Sequence, residues 1–140
     1  MNSGINGQQT AFNTSHDFSA AGLFRRARDT AVLRGRSAVL TICASVPMTV
    51  DGSAVLARGA YGQARHCLQS IAAAASQAGF AFEDIVRTRV YFKSGANWDE
   101  IVRAYDETFS STRPDCRFIE VGAFDHPDWQ LEIEAECSKA

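Results

Sequence analysis

The sequence predicts an α+β domain in which a mixed β-sheet carries two helices on one face. Three observations favour this class: β-branched runs separated by turn residues, two segments with helical periodicity, and a strand pattern after each helix. Because strand–helix–strand connections are right-handed, both helices are expected on the same face of the sheet. No third long helix is predicted, so we expect other copies of the chain, arranged in a closed ring, to cover the opposite face.

The first half of the domain predicts a hairpin followed by a long helix. Residues 30–33 and 37–46 are runs typical of strands on either side of a glycine-containing turn. A shorter apolar run at 54–56 predicts a small edge strand. Between Tyr61 and Gln77 the apolar residues recur at steps of three and four, which predicts a helix.

The second half predicts a strand, a helix and two further strands. Residues 85–92 alternate in polarity, and Asn97 is placed to cap the second helix. Residues 116–124 and 129–137 predict the last two strands. The apolar stripe of the second helix consists of Trp98, Ile101, Val102, Tyr105 and Phe109.

The last predicted strand has one apolar and one acidic face. Its apolar face is formed by Trp129, Leu131, Ile133, Ala135 and Cys137, and its acidic face includes Glu132, Glu134 and Glu136. We expect the apolar face to lie in the core.

Composition and charge restrict the class of function. The chain has 140 residues, of which 46% are hydrophobic and 21% charged, as in one ordinary globular domain. Its formal net charge of -2 leaves no basic excess for a phosphate backbone, so nucleic acid is not an expected partner. No apolar run is long enough to span a membrane, and the N-terminus lacks the pattern of a signal peptide. We therefore expect a cytoplasmic protein without a membrane partner.

The first twenty residues differ in composition from the rest. Residues 1–20 are rich in Asn, Gln, Ser, Thr and Gly, and we expect a flexible N-terminal arm there, followed by a single domain at 21–140. The four cysteines, at positions 43, 67, 116 and 137, include no C-x-x-C pair. This argues against a zinc site or a disulfide framework.

Four segments of the second half share a characteristic order and spacing. They are GFAFEDIVRTRVYF at 79–92, the helix at 98–109, RPDCRFIEV at 113–121 and LEIEA at 131–135. In these segments the sequence resembles the RidA family, also called YjgF/YER057c/UK114. The resemblance extends from about Val39 to Ala135. It implies a chorismate-mutase-like α+β fold, assembled as a homotrimer with ligand clefts between subunits. It also implies hydrolysis of small reactive enamines and imines, such as 2-aminoacrylate, to a keto acid and ammonia.

The sequence departs from the family pattern where substrate is expected to bind. Deaminating members of the family have an arginine two residues after a proline, and its guanidinium holds the substrate carboxylate. That position here is Cys116, so the chain resembles a divergent member without the usual arginine. Arg117 follows one residue later and would point to the opposite face of the strand unless a bulge intervenes. Glu132 matches the family's acidic residue, which helps to place the attacking water.

Cys116 and Glu132 are the candidate catalytic residues. Cys116 would act as a nucleophile or acid if it lined the cleft and a neighbouring arginine favoured its thiolate. The alternative is a half-buried thiol that fills space, the commoner role of such a cysteine. Glu132 would order water if another subunit covered it. Its alternative role is in a solvated acidic row with Glu134 and Glu136.

Five residues are candidates for binding a substrate, which we expect to be a small carboxylate. They are Arg117, Arg89, Arg87, Tyr61 and Cys43, the last lying in the family's Ser-Gly-x-x-Pro step. Arg87 and Arg89 project to one face of their strand, either to bind an anion or to form an interstrand ion-pair ladder. Tyr61, just before the first helix, either reaches a cleft or covers the edge of the core.

These residues are compatible with three functions. The first is an enamine or imine deaminase that works in an intersubunit cleft with Glu132 and an unusual arginine. The second uses Cys116 on a different pathway intermediate in the same cleft. The third is a non-catalytic trimer that binds small molecules. Phosphate loops, Ser-His-Asp arrangements and metal-binding motifs are absent from the sequence, so neither a cofactor nor a metal is expected.

Overall fold

A computed structural model describes residues 17–18, 24–25, 29–34, 37–47 and 59–140 of the chain. Nearly all of the arm predicted at residues 1–20, and the edge strand predicted at 54–56, lie outside these residues. The strands are β1 (Asp17–Phe18), β2 (Phe24–Arg25), β3 (Asp29–Arg34), β4 (Ser37–Ser45), β5 (Ile85–Lys93), β6 (Asp115–Val121) and β7 (Leu131–Lys139). The helices are α1 (Gly59–Gln77) and α2 (Trp98–Thr108), and a 3-10 turn at Phe82–Asp84 leads into β5.

Strands β3 to β7 form one mixed sheet in the order β3-β4-β7-β5-β6. β5 and β6 are parallel because the chain between them crosses over through α2, whereas the other neighbouring strands are antiparallel. β1 and β2 pair with each other as a separate two-stranded sheet. The predicted α+β class, with a mixed sheet and two helices, is confirmed.

Both helices pack on the same face of the five-stranded sheet, as predicted. The core between them contains Leu40 and Ile42 of β4, Leu68 and Ile71 of α1, and Ile101 of α2, all at most 2% exposed. Burial of these branched side chains is the main favourable contribution to folding, roughly 1.5–3 kcal/mol for each. The helix layer therefore fixes one face of the sheet completely.

Neither α1 nor α2 packs on the opposite face of the sheet. Alternation along β7 separates the two faces, since Leu131 and Ile133 are buried against the helices and Glu132 and Glu134 lie on the other side. We call this other side the open face. By strand register it includes Thr41, Arg87, Arg89, Tyr91, Arg117, Ile119, Glu132, Glu134 and Glu136.

Helix α2 begins as predicted, but its apolar stripe is only partly buried. Asn97 caps the helix by accepting a hydrogen bond from the Glu100 backbone N–H at 3.3 Å. Trp98, predicted on the buried stripe, is 42% exposed. Its ring lies at the edge of the sheet, packed against Phe92 and Phe118 with centroids 5.0 and 4.8 Å away.

Among the described residues no helix is long and apolar enough to cross a membrane.

Candidate active site

Glu132 is a half-buried carboxylate of the open face. It lies on β7, between β4 and β5, and its cross-strand partner on β5 is Tyr91. Burial raises the pKa of the Glu132 carboxyl group, and the negative charges of Asp125 and Glu134 raise this pKa further. A carboxyl group that holds its proton more tightly than an ordinary glutamate is a better candidate for proton exchange with a bound molecule.

Further along β7 from Glu132, the open face carries a ladder of ion pairs between β5 and β7. Arg89 lies 3.5 Å from Glu134 and Arg87 lies 3.8 Å from Glu136. The Tyr91 hydroxyl donates a hydrogen bond to Glu134 at 3.2 Å. Arg87 and Arg89 therefore form the interstrand ladder considered above as an alternative to anion binding. A shallow depression of about 250 Å³ lies over this ladder, with Thr41, Thr88 and Ala135 completing its lining.

Arg117 is the arginine of the open face that lacks an acidic partner. It is the parallel-strand partner of Arg89, and β6 has no register shift between residues 115 and 121. The side chain is exposed and forms no ion pair with any residue in the described ranges. The prediction that Arg117 and Cys116 point to opposite faces is confirmed. A guanidinium in this state is available to a carboxylate.

Cys116 faces the helices rather than the open face. It is the parallel-strand partner of Thr88, a residue only 1% exposed. The Tyr105 hydroxyl, on α2, lies 2.6 Å from Thr88 Oγ1, and burial raises the pKa of that hydroxyl. Within one subunit Cys116 and Glu132 are therefore on opposite sides of the sheet, so a cleft lined by both side chains would have to involve a second subunit. The face on which each residue lies depends on the pairing of strands that are distant in sequence.

Tyr61 belongs to the helix layer and not to a cleft on the open face. Helix α1 begins at Gly59, two residues earlier than predicted, so Tyr61 lies in its first turn. Its hydroxyl donates a hydrogen bond to Glu107 of α2, and the Arg103 guanidinium carbon lies 4.2 Å from the ring centroid. The hydrogen bond to Glu107 raises the pKa of the Tyr61 hydroxyl. Of the two alternatives, covering the edge of the core fits these contacts.

Cys43, the remaining candidate, lies on β4, but its side chain is outside the described part of the molecule. Within the described residues, no three His, Cys, Asp or Glu side chains are grouped so that they could hold a metal ion. Of the described candidate residues, Glu132, Arg87, Arg89 and Arg117 thus lie on the open face, and Cys116 and Tyr61 lie on the helix side.

Sequence reasoning missed Gln63, which fastens the loop before Glu132. We call residues 122–130 the β6–β7 loop. Gln63 is 1% exposed; its Nε2 donates to the Asp128 carbonyl at 3.1 Å, and its Oε1 accepts from the Gln130 N–H at 2.8 Å. The available signal was a glutamine four residues before Cys67 on the apolar stripe of α1. A polar residue on a buried stripe requires hydrogen-bond partners.

Comparison with protein families and known proteins agrees with this architecture. The model of the family described as Endoribonuclease L-PSP matches residues 29–138. A 3-aminoacrylate deaminase, RutC, from Acinetobacter baylyi is 26% identical over 95 residues, which cover 68% of this chain and 75% of RutC.

Several crystal structures share the fold. Rv2704 from Mycobacterium tuberculosis, of the YjgF/YER057c/UK114 family, is 26% identical with a TM-score of 0.68 and covers 91% of this chain and 97% of its own. YyfA from Yersinia pestis, of the Rid family, is 25% identical with a TM-score of 0.69, covering 87% and 92%. TdcF from Escherichia coli, crystallised with bound serine, is 23% identical with a TM-score of 0.68, covering 79% and 86%.

Proposed function

Because the chain belongs to the Endoribonuclease L-PSP family, the group that also includes the RidA (YjgF/YER057c/UK114) proteins, we propose that it hydrolyses small enamines or imines and releases ammonia. The observation that carries this proposal is Glu132, a half-buried carboxyl group with a raised pKa on the open face of the sheet. RutC, the deaminase similar to this chain, is named for an enamine substrate, 3-aminoacrylate. A net charge of -2 does not favour RNA as a substrate.

The chemistry requires one proton donor and one water molecule. For 2-aminoacrylate, a proton is added to the terminal carbon of the enamine, giving an iminium ion. Water adds to the iminium carbon, and one of its protons passes to nitrogen. The carbon–nitrogen bond then breaks as the remaining hydroxyl proton returns to the Glu132 carboxylate, which yields pyruvate and ammonia. Glu132 is suited to both proton transfers, because its protonated form can donate and its ionised form can orient the water.

Arg117 is the proposed anchor for the substrate carboxylate, with Arg89 beside it. Both guanidinium groups lie on the same face as Glu132, and Arg117 has no competing ion pair in the described residues. Arg89 already forms an ion pair with Glu134 at 3.5 Å, so we assign it a secondary role in binding the substrate carboxylate. Such an arrangement replaces the arginine expected where this chain has Cys116.

The cleft itself is proposed to form between subunits of a homotrimer. The open face is only a shallow surface in one subunit, and half-exposed charged side chains cover much of it. A neighbouring subunit packed over this face would exclude water and strengthen the interaction of Glu132 and Arg117 with a substrate. The proposed site is therefore complete only in the assembly.

The direct test measures ammonia release from 2-aminoacrylate generated in situ by a dehydratase, and from 3-aminoacrylate. We expect the purified protein to accelerate release and Glu132→Gln to reduce kcat by about a hundredfold or more, as for loss of a general acid or base. Glu136→Gln is the matched control, because Glu136 lies on the same row and its ion pair among the described residues is with exposed Arg87. Equal rates with and without the protein would reject the proposal.

A second assay separates substrate binding from chemistry. Arg117→Gln should raise KM about tenfold or more while changing kcat less, since loss of one charge-assisted contact costs about 1.5–3 kcal/mol. Arg113→Gln, an exposed arginine just before β6, provides the control. An unchanged KM in Arg117→Gln would remove Arg117 from the site.

The two alternative functions are tested with the same preparations. Cys116→Ser should retain the deaminase rate, because Cys116 faces Tyr105 and Thr88 on the helix side. A loss of activity in this variant at unchanged stability would instead favour chemistry at Cys116. Binding of carboxylates without turnover of any imine would favour the non-catalytic trimer.

A further inference from the structure

The β6–β7 loop is held by polar contacts at several points before it reaches Glu132. Gln63 of α1 contacts the loop backbone twice, at Asp128 and Gln130. On the other side, Lys93 at the end of β5 donates its backbone N–H to the Gln130 carbonyl at 2.8 Å and its ammonium to the Pro127 carbonyl at 2.7 Å. Gln130 is thereby fixed from both sides, two residues before Glu132.

We propose that Gln63 is a positioning residue for the site: its buried amide fixes the β6–β7 loop, and the loop in turn fixes the start of β7, where Glu132 lies on the open face. This inference rests on the proposed role of Glu132 and assigns Gln63 no contact with substrate. The amide of a glutamine is suited to this task because it donates and accepts at once, and here each partner is a backbone group that would otherwise lack its hydrogen bond.

The two hydrogen bonds of Gln63 influence the pKa of Glu132 through the β6–β7 loop. The groups that face Glu132 are Tyr91 on β5, Glu134 on β7 and Asp125 in the loop, and Lys93 is directed to the Pro127 carbonyl instead. On the β4 side, the side chains at 43–45 lie outside the described residues. Release of the loop would admit water to Glu132 and move Asp125 away. Both changes lower the pKa of Glu132 toward its ordinary range.

Gln63→Met is the sharpest variant, since it keeps the length of the side chain and removes both hydrogen bonds. Gln69→Met makes the same change at an exposed position of α1 and is the matched control. The readout is the NMR titration of the Glu132 side-chain carboxyl carbon, assigned with Glu132→Gln, in the absence of any substrate. We expect the titration midpoint in Gln63→Met to move to lower pH and that in Gln69→Met to remain at the wild-type value.

The pH dependence of activity distinguishes a positioning role from a loss of stability, because lost stability alone would not shift the pH–rate profile. In Gln63→Met, the limb of the pH–rate profile governed by Glu132 should move to lower pH, and kcat should fall about ten- to a hundredfold with little change in KM. If Gln63→Met does not fold, Gln63→Asn, which is one methylene shorter and cannot span both partners, replaces it. A Glu132 midpoint equal to that of the wild type in a folded Gln63 variant would overturn the inference. Absence of deaminase activity with a shifted midpoint would overturn only the proposed function.

Discussion

At the scale of single residues, Glu132 links the stability of the fold to pH. Because the folded state raises the pKa of Glu132, the folded protein binds this proton more tightly than the unfolded chain does. The resulting stabilisation is complete below the ordinary pKa of a glutamate and is lost as the pH rises through the folded-state pKa. Above the folded-state pKa, the ionised Glu132 beside Asp125 and Glu134 therefore destabilises the fold.

Glu132→Gln should consequently unfold at a higher temperature than the wild type near pH 7.5. The expected gain is at most about 1 kcal/mol, since Glu132 is only partly buried and water screens the neighbouring charges. The difference should disappear in thermal melts near pH 4, where both side chains are neutral. Glu136→Gln should show no gain at either pH, because it only weakens the pair with Arg87.

Tyr105 and Thr88 form a buried hydrogen bond, so we expect substitutions of the two residues to have coupled effects on the free energy of unfolding. Their oxygens are 2.6 Å apart, and the two residues are 8% and 1% exposed. Tyr105→Phe should cost about 1–2 kcal/mol in denaturant unfolding, because it leaves the Thr88 hydroxyl without this partner. Adding Thr88→Val should cost less in that background than in the wild type. Strict additivity in the double-mutant cycle would show that this bond contributes nothing.

At the scale of secondary-structure elements, the negative charge that stabilises the N-terminus of α1 comes from a residue of α2. No acidic residue occurs in the first turn of α1, and the Glu100 carboxylate of α2 accepts the Tyr61 N–H at 3.2 Å. A carboxylate there satisfies a free helix N–H and interacts favourably with the helix dipole. The contact also aligns the two helices beside each other.

Glu100→Gln should therefore lower the stability by about 0.3–1 kcal/mol, and the loss should shrink in high salt. Urea unfolding at low and high ionic strength measures both effects. Glu83→Gln, which removes an equal charge from an exposed position in the 3-10 turn, is the control. A loss of the same size in Glu83→Gln would point to net charge rather than to the Glu100 contact.

The elements that the sequence predicted well are those with a strong period. Alternation located β5 and the two faces of β7, and the three- and four-residue spacing located α1 and α2. The boundaries were less accurate where a tertiary contact decides them. Trp129, predicted in the last strand, is 2% exposed but precedes β7, because Gln63 holds its neighbours in the loop. Trp98 belongs to the helical stripe by spacing and its ring packs on Phe92 and Phe118, yet at the first residue of α2 it stays 42% exposed.

The site was less predictable than the fold, for a reason of geometry. Local alternation is sufficient to place Cys116 and Arg117 on opposite faces of β6. Which of the two shares a face with Glu132 depends on two registers, β5 with β6 and β5 with β7, and these pair residues far apart in the chain. Gln63 was missed because its partners are backbone groups more than 60 positions away.

At the scale of the whole molecule, the open face predicts assembly. Ile119 lies on it beside the ion-pair ladder, and we expect copies of the chain to bury this face in a trimer. Ile119→Glu should shift the mass measured by light scattering from three chains toward one while circular dichroism stays unchanged. Ala73→Glu, on the exposed side of α1, should leave the mass unchanged. A wild-type mass of one chain would contradict this prediction.

The position of β7 also determines when the protein can fold during synthesis. This strand follows all other strands in the sequence but lies between β4 and β5 in the sheet. Before it leaves the ribosome, the β3–β4 hairpin and the β5–α2–β6 unit have no common partner, and the apolar side chains of both stay open to chaperones. The nascent chain should therefore acquire protease resistance in one late step, governed by the slow closure of contacts between distant segments.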